Sequence, residues 1–250
     1  METGSSSTDA LCQGLTAAAA EVANAYRQAP TAEQAEVVTP ELLAEAIDQF
    51  VQIVARLESD FAAARTSVSS EPEDMTQLIG YGLDLLNDLG QWAAQLNLTS
   101  TRPRIDALAV PLALWGVRRG GRLNNLEPVV NALAVAANAT QEPRQLAQLV
   151  PVMGEIAAGA AEEIRQDLDQ SNPARPWRIL HLNRAIVATR ANDPALMRKA
   201  FDDLIQALPT DAPGFFEEGM RQMEALDYPA PVREVMSEYH RRFQDGGALH

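Results

Sequence analysis

Apolar residues recur at helical spacing along most of the chain, and no stretch shows the alternating pattern of a strand. The clearest example lies between residues 43 and 64, where apolar side chains step by four, three, four and three residues, as in a heptad seam. Similar seams run from Met75 to Leu96 and from Leu11 to Ala25. With 46% apolar but only 5% aromatic residues, the core must consist mainly of Ala, Leu and Val, which suits closely packed helices. The pattern predicts an all-α fold.

The first hundred residues are predicted to form three helices, at residues 8–28, 39–67 and 73–98. Thr39, Pro40 and Glu41 are typical of a helix start, with a hydroxyl cap, a proline at the first helical position and an acid near the positive helix end. The second and third helices have matching seams and a short connection, so they are expected to pack antiparallel, with the first helix covering the remaining groove. This predicts an acidic three-helix bundle as domain 1–100, serving in docking or homodimerisation.

Beyond residues 99–104 the predicted helices are shorter and regularly spaced, which defines a second domain at 101–250 with a loose tail from residue 244. The second helices of successive pairs begin near residues 123, 160, 195 and 230. Pro111 is expected to kink the helix at 103–119, and Gly120 to help end it in left-handed geometry. Segment 142–171 is interpreted as either one bent helix or two. Since each hairpin alone would expose an apolar face, the hairpins are predicted to stack in a right-handed solenoid.

One predicted hairpin has the spacing of a known class of repeat. Its second helix shows the order small, large, small and proline, at Ala200, Leu204, Ala207 and Pro209. Its first helix follows the class more loosely, at Trp177, Leu180 and Arg184, and has His181 where glycine is usual. On these positions, residues 103–243 resemble tetratricopeptide-like helical repeats. The resemblance implies a superhelix of the TPR or HEAT type that binds a peptide or another protein.

The charge is strongly negative and unevenly distributed. The formal net charge is −14, with −12 in residues 1–100, +3 in residues 101–150 and −5 in residues 151–250. Nucleic acid is not an expected partner, because a polyanion requires clustered positive charge. The longest apolar run, at residues 107–117, contains Pro111 and is much shorter than the roughly 18 residues of a spanning helix, so membrane insertion is not expected. The single cysteine, Cys12, and the absence of a signal-like N-terminal stretch indicate a cytoplasmic protein.

The sequence contains no motif that indicates catalysis, a metal site or a cofactor. One cysteine and three separated histidines do not supply the four ligands of a structural zinc site, and the glycines near residue 120 do not form a phosphate loop. Glu162, Glu163 and Asp167 are interpreted as a solvated helix face rather than a cation site. No catalytic, cofactor-binding or metal-binding residue is therefore assigned, and a non-enzymatic function is expected.

Two basic clusters are the candidate partner-binding residues. The first contains Arg118, Arg119 and Arg122. The second lies on a later helix and contains Trp177, Arg178, His181 and Arg184. Since Arg pairs with carboxylates and both Trp and Arg are enriched at binding hot spots, the clusters are hypothesised to line a groove for an acidic peptide or a chain-terminal carboxylate. The alternative is that Trp177 is a core residue, that His181 is a surface or hydrogen-bonded histidine, and that the arginines pair with the protein's own acidic bundle.

The predicted function is a protein–protein interaction adaptor or assembly factor that binds a partner protein or acidic peptide in a groove of the helical repeats. The alternative is an enzyme or small-ligand-binding protein with a pocket between bundle and repeats, near Trp115 and Trp177. A deep pocket enclosing titratable groups would favour this alternative, whereas an open groove with exposed Trp and Arg would favour the adaptor.

Overall fold

The computed structural model describes residues 3–29, 38–63 and 72–246. Within these ranges twelve α-helices form and no strand does, which confirms the predicted all-α class. In chain order, the helices are α1 (Thr3–Gln28), α2 (Pro40–Ala63), α3 (Pro72–Gln95), α4 (Thr101–Ala107), α5 (Ala109–Val117), α6 (Glu127–Asn138), α7 (Pro143–Gly159), α8 (Glu162–Arg165), α9 (Pro176–Arg190), α10 (Pro194–Ala207), α11 (Ala212–Ala225) and α12 (Ala230–Gly246). Residues 64–67 of the second predicted helix and most of the predicted tail lie outside the described residues.

The chain divides into two compact units, Met1–Ala132 and Leu133–His250. In the first unit, α1 packs along α2, and α3 packs against both of them. Helices α4 and α5 pack against α1 and α3, so they belong to the same unit as the predicted bundle. The predicted boundary at residue 100 therefore falls inside the first unit, and the division into domains 1–100 and 101–250 stays a prediction.

Helix α3 is buried over a wider arc than its predicted seam. The seam residues Met75, Leu85 and Leu89 are all buried. A second row of apolar residues on the same helix is buried as well: Ile79, Leu83, Leu86 and Ala93. The reason is that α3 packs against α4 and α5 in addition to α2, so two of its faces are covered. The indole of Trp92 is only partly buried, and its Nε1–H donates to the Val38 carbonyl oxygen over 2.9 Å.

The helix predicted at residues 103–119 is interrupted three residues before Pro111 rather than at it. Helix α4 ends at residue 107, Leu108 links the two segments, and Pro111 is the third residue of α5. In a continuous helix the proline ring would clash with the carbonyl of residue 107, whereas in the first turn of a new helix its missing N–H is not needed. At the other end Gly120 has φ +89°, and the N–H of Gly121 donates to the Gly116 oxygen over 3.1 Å. This is the left-handed glycine cap that was predicted.

In the second unit, α9 packs against both α7 and α10. Helix α10 also contacts α7 and α12, and α12 packs along α11. The break before α10 lies at Asn192, Asp193 and Pro194, next to the helix start predicted near residue 195. Asn192 has φ +55°, and the Asp193 carboxylate accepts hydrogen bonds from the backbone N–H groups of Ala195 and Leu196, while Pro194 begins the helix.

Segment 142–171 forms two helices, which decides between the two interpretations left open by the sequence. Helix α7 continues through Pro151 to residue 159, and then Ala160 and Ala161 are extended with ψ of 144° and 155°. The helix predicted to begin near residue 160 is reduced to the four residues of α8, and α6 begins four residues later than predicted. A regular stack of hairpins is therefore not confirmed. No helix in the described ranges is both long enough and apolar enough to cross a membrane.

Candidate functional site

The candidate site lies on one face of α9, where Trp177, His181 and Arg184 follow one another at intervals of four and three residues. This spacing brings their side chains to the same side of a helix. All three are buried, with 6%, 5% and 3% of their surface exposed, because α9 is covered by α7 and α10. The helix begins with Pro176, whose fixed φ suits the first helical position. The structure thus groups three of the four predicted residues of this cluster.

Arg184 is a buried cation that is held from both neighbouring helices. Its Nε–H donates to the Val150 carbonyl oxygen of α7 over 3.1 Å, and its Nη1–H donates to Asp203 Oδ2 of α10 over 2.5 Å. A buried charge is tolerated only when it is paired and hydrogen-bonded, and Arg184 meets both conditions. Gly154 provides the space, since a Cβ atom at that position would lie 2.8 Å from Arg184 Nη2. The guanidinium therefore links α7, α9 and α10.

Trp177 and His181 lie beside this guanidinium and contact each other edge-to-face, with ring centroids 4.3 Å apart and an interplanar angle of 69°. Trp177 Nε1 and His181 Nε2 are buried, and neither has a hydrogen-bond partner among the described residues. Leaving a buried polar atom unpaired costs about 1–3 kcal/mol, and native proteins contain few such atoms. Two of them on adjacent side chains are a reason to look for a ligand.

A cavity of about 290 Å³ lies against these two rings and is called the second-unit pocket below. Its lining residues are Gly154, Ala157, Ala158, Glu162, Arg165, Trp177, His181, Arg184, Asp203, Gln206 and Ala207. This size is close to the lower end of small-ligand sites, which span roughly 300–1,000 Å³. The pocket therefore accommodates a small molecule or one side chain of a partner.

The imidazole of His181 is neutral near pH 7. The pKa of His181 is lowered to about 4, mainly by burial and then by the neighbouring positive charge of Arg184, while Asp203 and Asp167 oppose the shift. A neutral imidazole has one nitrogen that donates and one that accepts a hydrogen bond. His181 is therefore available as a hydrogen-bonding group rather than as a cation.

Arg178, the fourth predicted residue of this cluster, does not line the pocket. Its Nε–H donates to Asp211 Oδ1 over 2.7 Å, and its Nη1–H donates to the Pro173 carbonyl oxygen over 3.0 Å. Arg175 pairs with the same Asp211 and forms a bidentate pair with Asp167, over 2.6 and 2.8 Å. Both arginines thus pair with acids of their own unit, whereas the alternative interpretation expected pairing with the acidic bundle of residues 1–100.

The predicted cluster of Arg118, Arg119 and Arg122 lies in the first unit, in a different compact unit from the pocket on α9. Arg119 is ion-paired with Glu58, and its Nη1–H donates to the Trp115 carbonyl oxygen over 2.7 Å. Burial lowers the pKa of Arg119, which Glu58 partly offsets. Arg118 and Arg122 are exposed, and the backbone N–H of Arg122 donates to a threonine hydroxyl on α3.

Trp115 lies in a second cavity, of about 380 Å³, within the first unit. Its lining residues are Ser7, Thr8, Leu11, Phe61, Pro111, Leu114, Trp115, Arg118 and Arg119. The indole Nε1–H of Trp115 donates to Glu58 over 3.0 Å, so this tryptophan already has its partner. Trp115 and Trp177, which the sequence placed near one pocket, therefore line separate cavities within separate units.

Sequence reasoning missed Gly154 and Asp203, which complete the setting of Arg184. A glycine inside a helical pattern indicates a close approach by another group, and this signal was present at Gly154. Asp203 carries no local signal, because it is one of many acids on exposed helix faces. In the described part of the chain, no group of three or more His, Cys, Asp or Glu side chains is placed to hold a metal ion.

Comparisons with protein-family models, with curated proteins and with solved structures each find no match to this chain.

Proposed function

We propose that this protein is a non-catalytic adaptor or assembly factor whose second unit binds a partner protein by taking one of its side chains into the second-unit pocket. The observation that supports this is the pair of buried nitrogen atoms without partners, Trp177 Nε1 and His181 Nε2, in side chains that line a cavity of about 290 Å³. A hydrogen-bonding group that enters the pocket and reaches these atoms through a shift of the two rings would remove the cost of leaving them unpaired. Tryptophan is also among the residues most enriched at binding hot spots.

The same proposal includes the helical-repeat interpretation. The pairs α9–α10 and α11–α12 each pack as a hairpin, and α10 contacts α12, which supports two neighbouring repeat units of the TPR-like type. The first unit would serve in docking or homodimerisation, and the protein would act in the cytoplasm. The acidic-peptide form of the proposal has less support, because Arg178 is paired with Asp211 and Arg184 with Asp203.

The test is a pocket-blocking variant compared with a matched control. Ala158→Trp places a large side chain at an exposed position of the pocket lining, whereas Ala195→Trp places the same side chain at an exposed position of α10 outside that lining. The full-length wild type and both variants are immobilised and used to capture proteins from the native cell. We expect a partner that is captured by the wild type and by Ala195→Trp but lost with Ala158→Trp. The same set of proteins on all three would contradict the proposal.

A small-molecule-binding function is the second candidate, and the dimensions of the pocket favour it. Its volume is close to that of the smallest ligand sites, and its lining combines the Trp177 ring and several alanines with converging polar groups, among them His181 and Gln206. Native mass spectrometry of the protein purified from its own cell distinguishes this candidate. A bound small molecule that is present in the wild type and absent from Ala158→Trp would support it over the adaptor.

A further inference from the structure

The charges around the second-unit pocket are already compensated within the protein. Arg184 pairs with Asp203 over 2.5 Å, and Arg165 lies 3.9 Å from Glu162. These two cations and two anions are the charged residues of the lining once His181 is neutral, so their formal charges cancel. An entering carboxylate would have to compete with Asp203 for Arg184, and an entering cation would have to compete with Arg184 for Asp203. Because an uncompensated charge is far more costly to bury than a neutral polar group, an uncharged group fits this pocket best.

The hydrogen-bonding requirements of the lining narrow the chemistry further. The indole Nε1–H of Trp177 is a donor only, so it needs an acceptor. His181 Nε2 is a donor or an acceptor, depending on the tautomer of the ring. A primary carboxamide meets either case, because it carries an acceptor oxygen and a donor NH₂ group in one plane. Both nitrogen atoms have almost no surface accessible to water, so an entering amide reaches them through a shift of the two rings toward the cavity. A hydrogen bond formed at such a buried position meets little competition from water.

We infer that the second-unit pocket receives an uncharged carboxamide, the side chain of an Asn or Gln of the partner, whose polar atoms pair with Trp177 Nε1 and His181 Nε2. This inference rests on the proposed function, since it names the group that the partner inserts. It replaces the acidic group that the sequence suggested, because the arginine at this site is neutralised by Asp203. A carboxamide-bearing small molecule shares the same chemistry and is distinguished below.

The test uses three probes of the same shape and different charge: benzamide, benzoate and benzamidinium. Each is titrated into the full-length ¹⁵N-labelled protein while the three tryptophan indole N–H signals are followed. Trp92 and Trp115 are internal controls, because their indole N–H groups already donate to Val38 and Glu58. We expect benzamide to move the Trp177 signal saturably and leave the other two in place. Benzoate and benzamidinium should bind at least about tenfold more weakly, the equivalent of losing one good hydrogen bond.

A charge-changing pair of variants tests the reason for this preference. Asp203→Asn removes the anion that compensates Arg184, so the pocket becomes positive and benzoate should now bind more tightly than benzamide. The control is Asp202→Asn, whose carboxylate accepts a hydrogen bond from the Tyr239 hydroxyl over 2.7 Å and does not line the pocket. This control should keep the wild-type order of affinities. If Asp203→Asn still binds benzamide more tightly than benzoate, charge compensation by Asp203 does not explain the preference for an uncharged group.

Removal of the indole donor tests the contact itself. Trp177→Phe should weaken benzamide binding about tenfold. Binding is followed in this variant by calorimetry, and unchanged backbone amide signals of α7, α9 and α10 report that the second unit is folded. If this variant does not fold, the relative affinities of the three probes for the wild type and for Asp203→Asn still test whether the pocket prefers an uncharged amide. Benzoate binding as tightly as benzamide to the wild type, or no probe moving the Trp177 signal, would overturn the inference.

The results separate this inference from the proposed function and identify the source of the amide. If Ala158→Trp loses the partner but benzamide does not bind, the proposed function stands and the amide chemistry is wrong. If benzamide binds but Ala158→Trp still captures the partner, the adaptor proposal fails and the pocket belongs to a small amide ligand. Release of the captured partner by saturating benzamide would support an Asn or Gln of the partner, and full retention would overturn that source.

Discussion

The buried imidazole of His181 should make the stability of the fold depend on pH between about pH 7.5 and 5.5. The pKa of His181 is about 4 in the folded protein and returns to its ordinary value of 6.5 in the unfolded chain. Below pH 6.5 the unfolded chain therefore takes up a proton that the folded protein does not, so acid favours unfolding. The direction follows from burial first and from the neighbouring Arg184 second, against the weaker opposing effects of Asp203 and Asp167.

The expected magnitude follows from these two pKa values. At pH 5.5 about nine-tenths of unfolded chains carry the proton at this position, whereas almost no folded molecules do. The free energy of unfolding should therefore fall by about 1.3 kcal/mol between pH 7.5 and pH 5.5 from this residue alone, and by about 3 kcal/mol in total by pH 4. The interval from pH 7.5 to pH 5.5 isolates His181, because the ordinary pKa values of Asp and Glu lie near 4 and carboxylates titrate mainly below this interval.

The assay is urea unfolding followed by circular dichroism at pH 7.5 and 5.5, on the wild type and on His181→Gln. Gln is polar and does not titrate, so any constant change in stability cancels when the two pH values are compared for each protein. Between pH 7.5 and pH 5.5, the free energy of unfolding should fall by about 1.3 kcal/mol more for the wild type than for the variant. Equal losses in both proteins, or a wild type that becomes more stable at pH 5.5, would refute the reasoning that the ring is buried in its neutral form.

Two further predictions concern the residues that hold the site in place, and urea unfolding at pH 7.5 checks both. Gly154→Ala should lower the free energy of unfolding by about 1–3 kcal/mol, because the new Cβ would lie 2.8 Å from Arg184 Nη2. The control is Gly80→Ala, whose new Cβ meets no atom within 4 Å. This control should raise the free energy of unfolding by up to about 1 kcal/mol. Asp167→Asn places a residue that tolerates the left-handed φ of +47° but removes the carboxylate that pairs with Arg175 in bidentate fashion. This variant should therefore lower the free energy of unfolding by about 2–4 kcal/mol.

A Gly154→Ala variant as stable as the wild type would mean that the guanidinium moves aside at no cost. If Asp167→Asn changes the free energy of unfolding by less than about 0.5 kcal/mol, the Asp167–Arg175 ion pair contributes no more than an exposed surface ion pair does.

The helices were predictable where local signals were strong. The heptad seam of α2 is buried at Leu43, Ile47 and Phe50, and α10 begins at Pro194, next to the start predicted near residue 195. These features depend on residues within a few positions of one another, so periodicity and capping rules are sufficient to find them. The interruption of helix 103–119 follows from a local signal as well, since Pro111 was expected to kink it and the break at Leu108 lies within the turn before this proline.

Other features were not predictable because they depend on packing between distant residues. Ala160 and Ala161 are good helix formers, and yet they are extended. The second buried row of α3, which includes Ile79 and Leu86, is explained only by α4 and α5 lying against it. At α3, tertiary contacts decide what local preference leaves open.

At the candidate site, the sequence by itself determined which side chains share a face of α9. Trp177, His181 and Arg184 follow helical spacing, and the structure brings them to one pocket. Only the tertiary structure decided what these side chains do there. It buries the two rings without hydrogen-bond partners, and it pairs Arg184 with Asp203, nineteen residues away along the chain. The physical reason is that burial and charge compensation depend on neighbours from other helices, which helical periodicity within one segment does not specify.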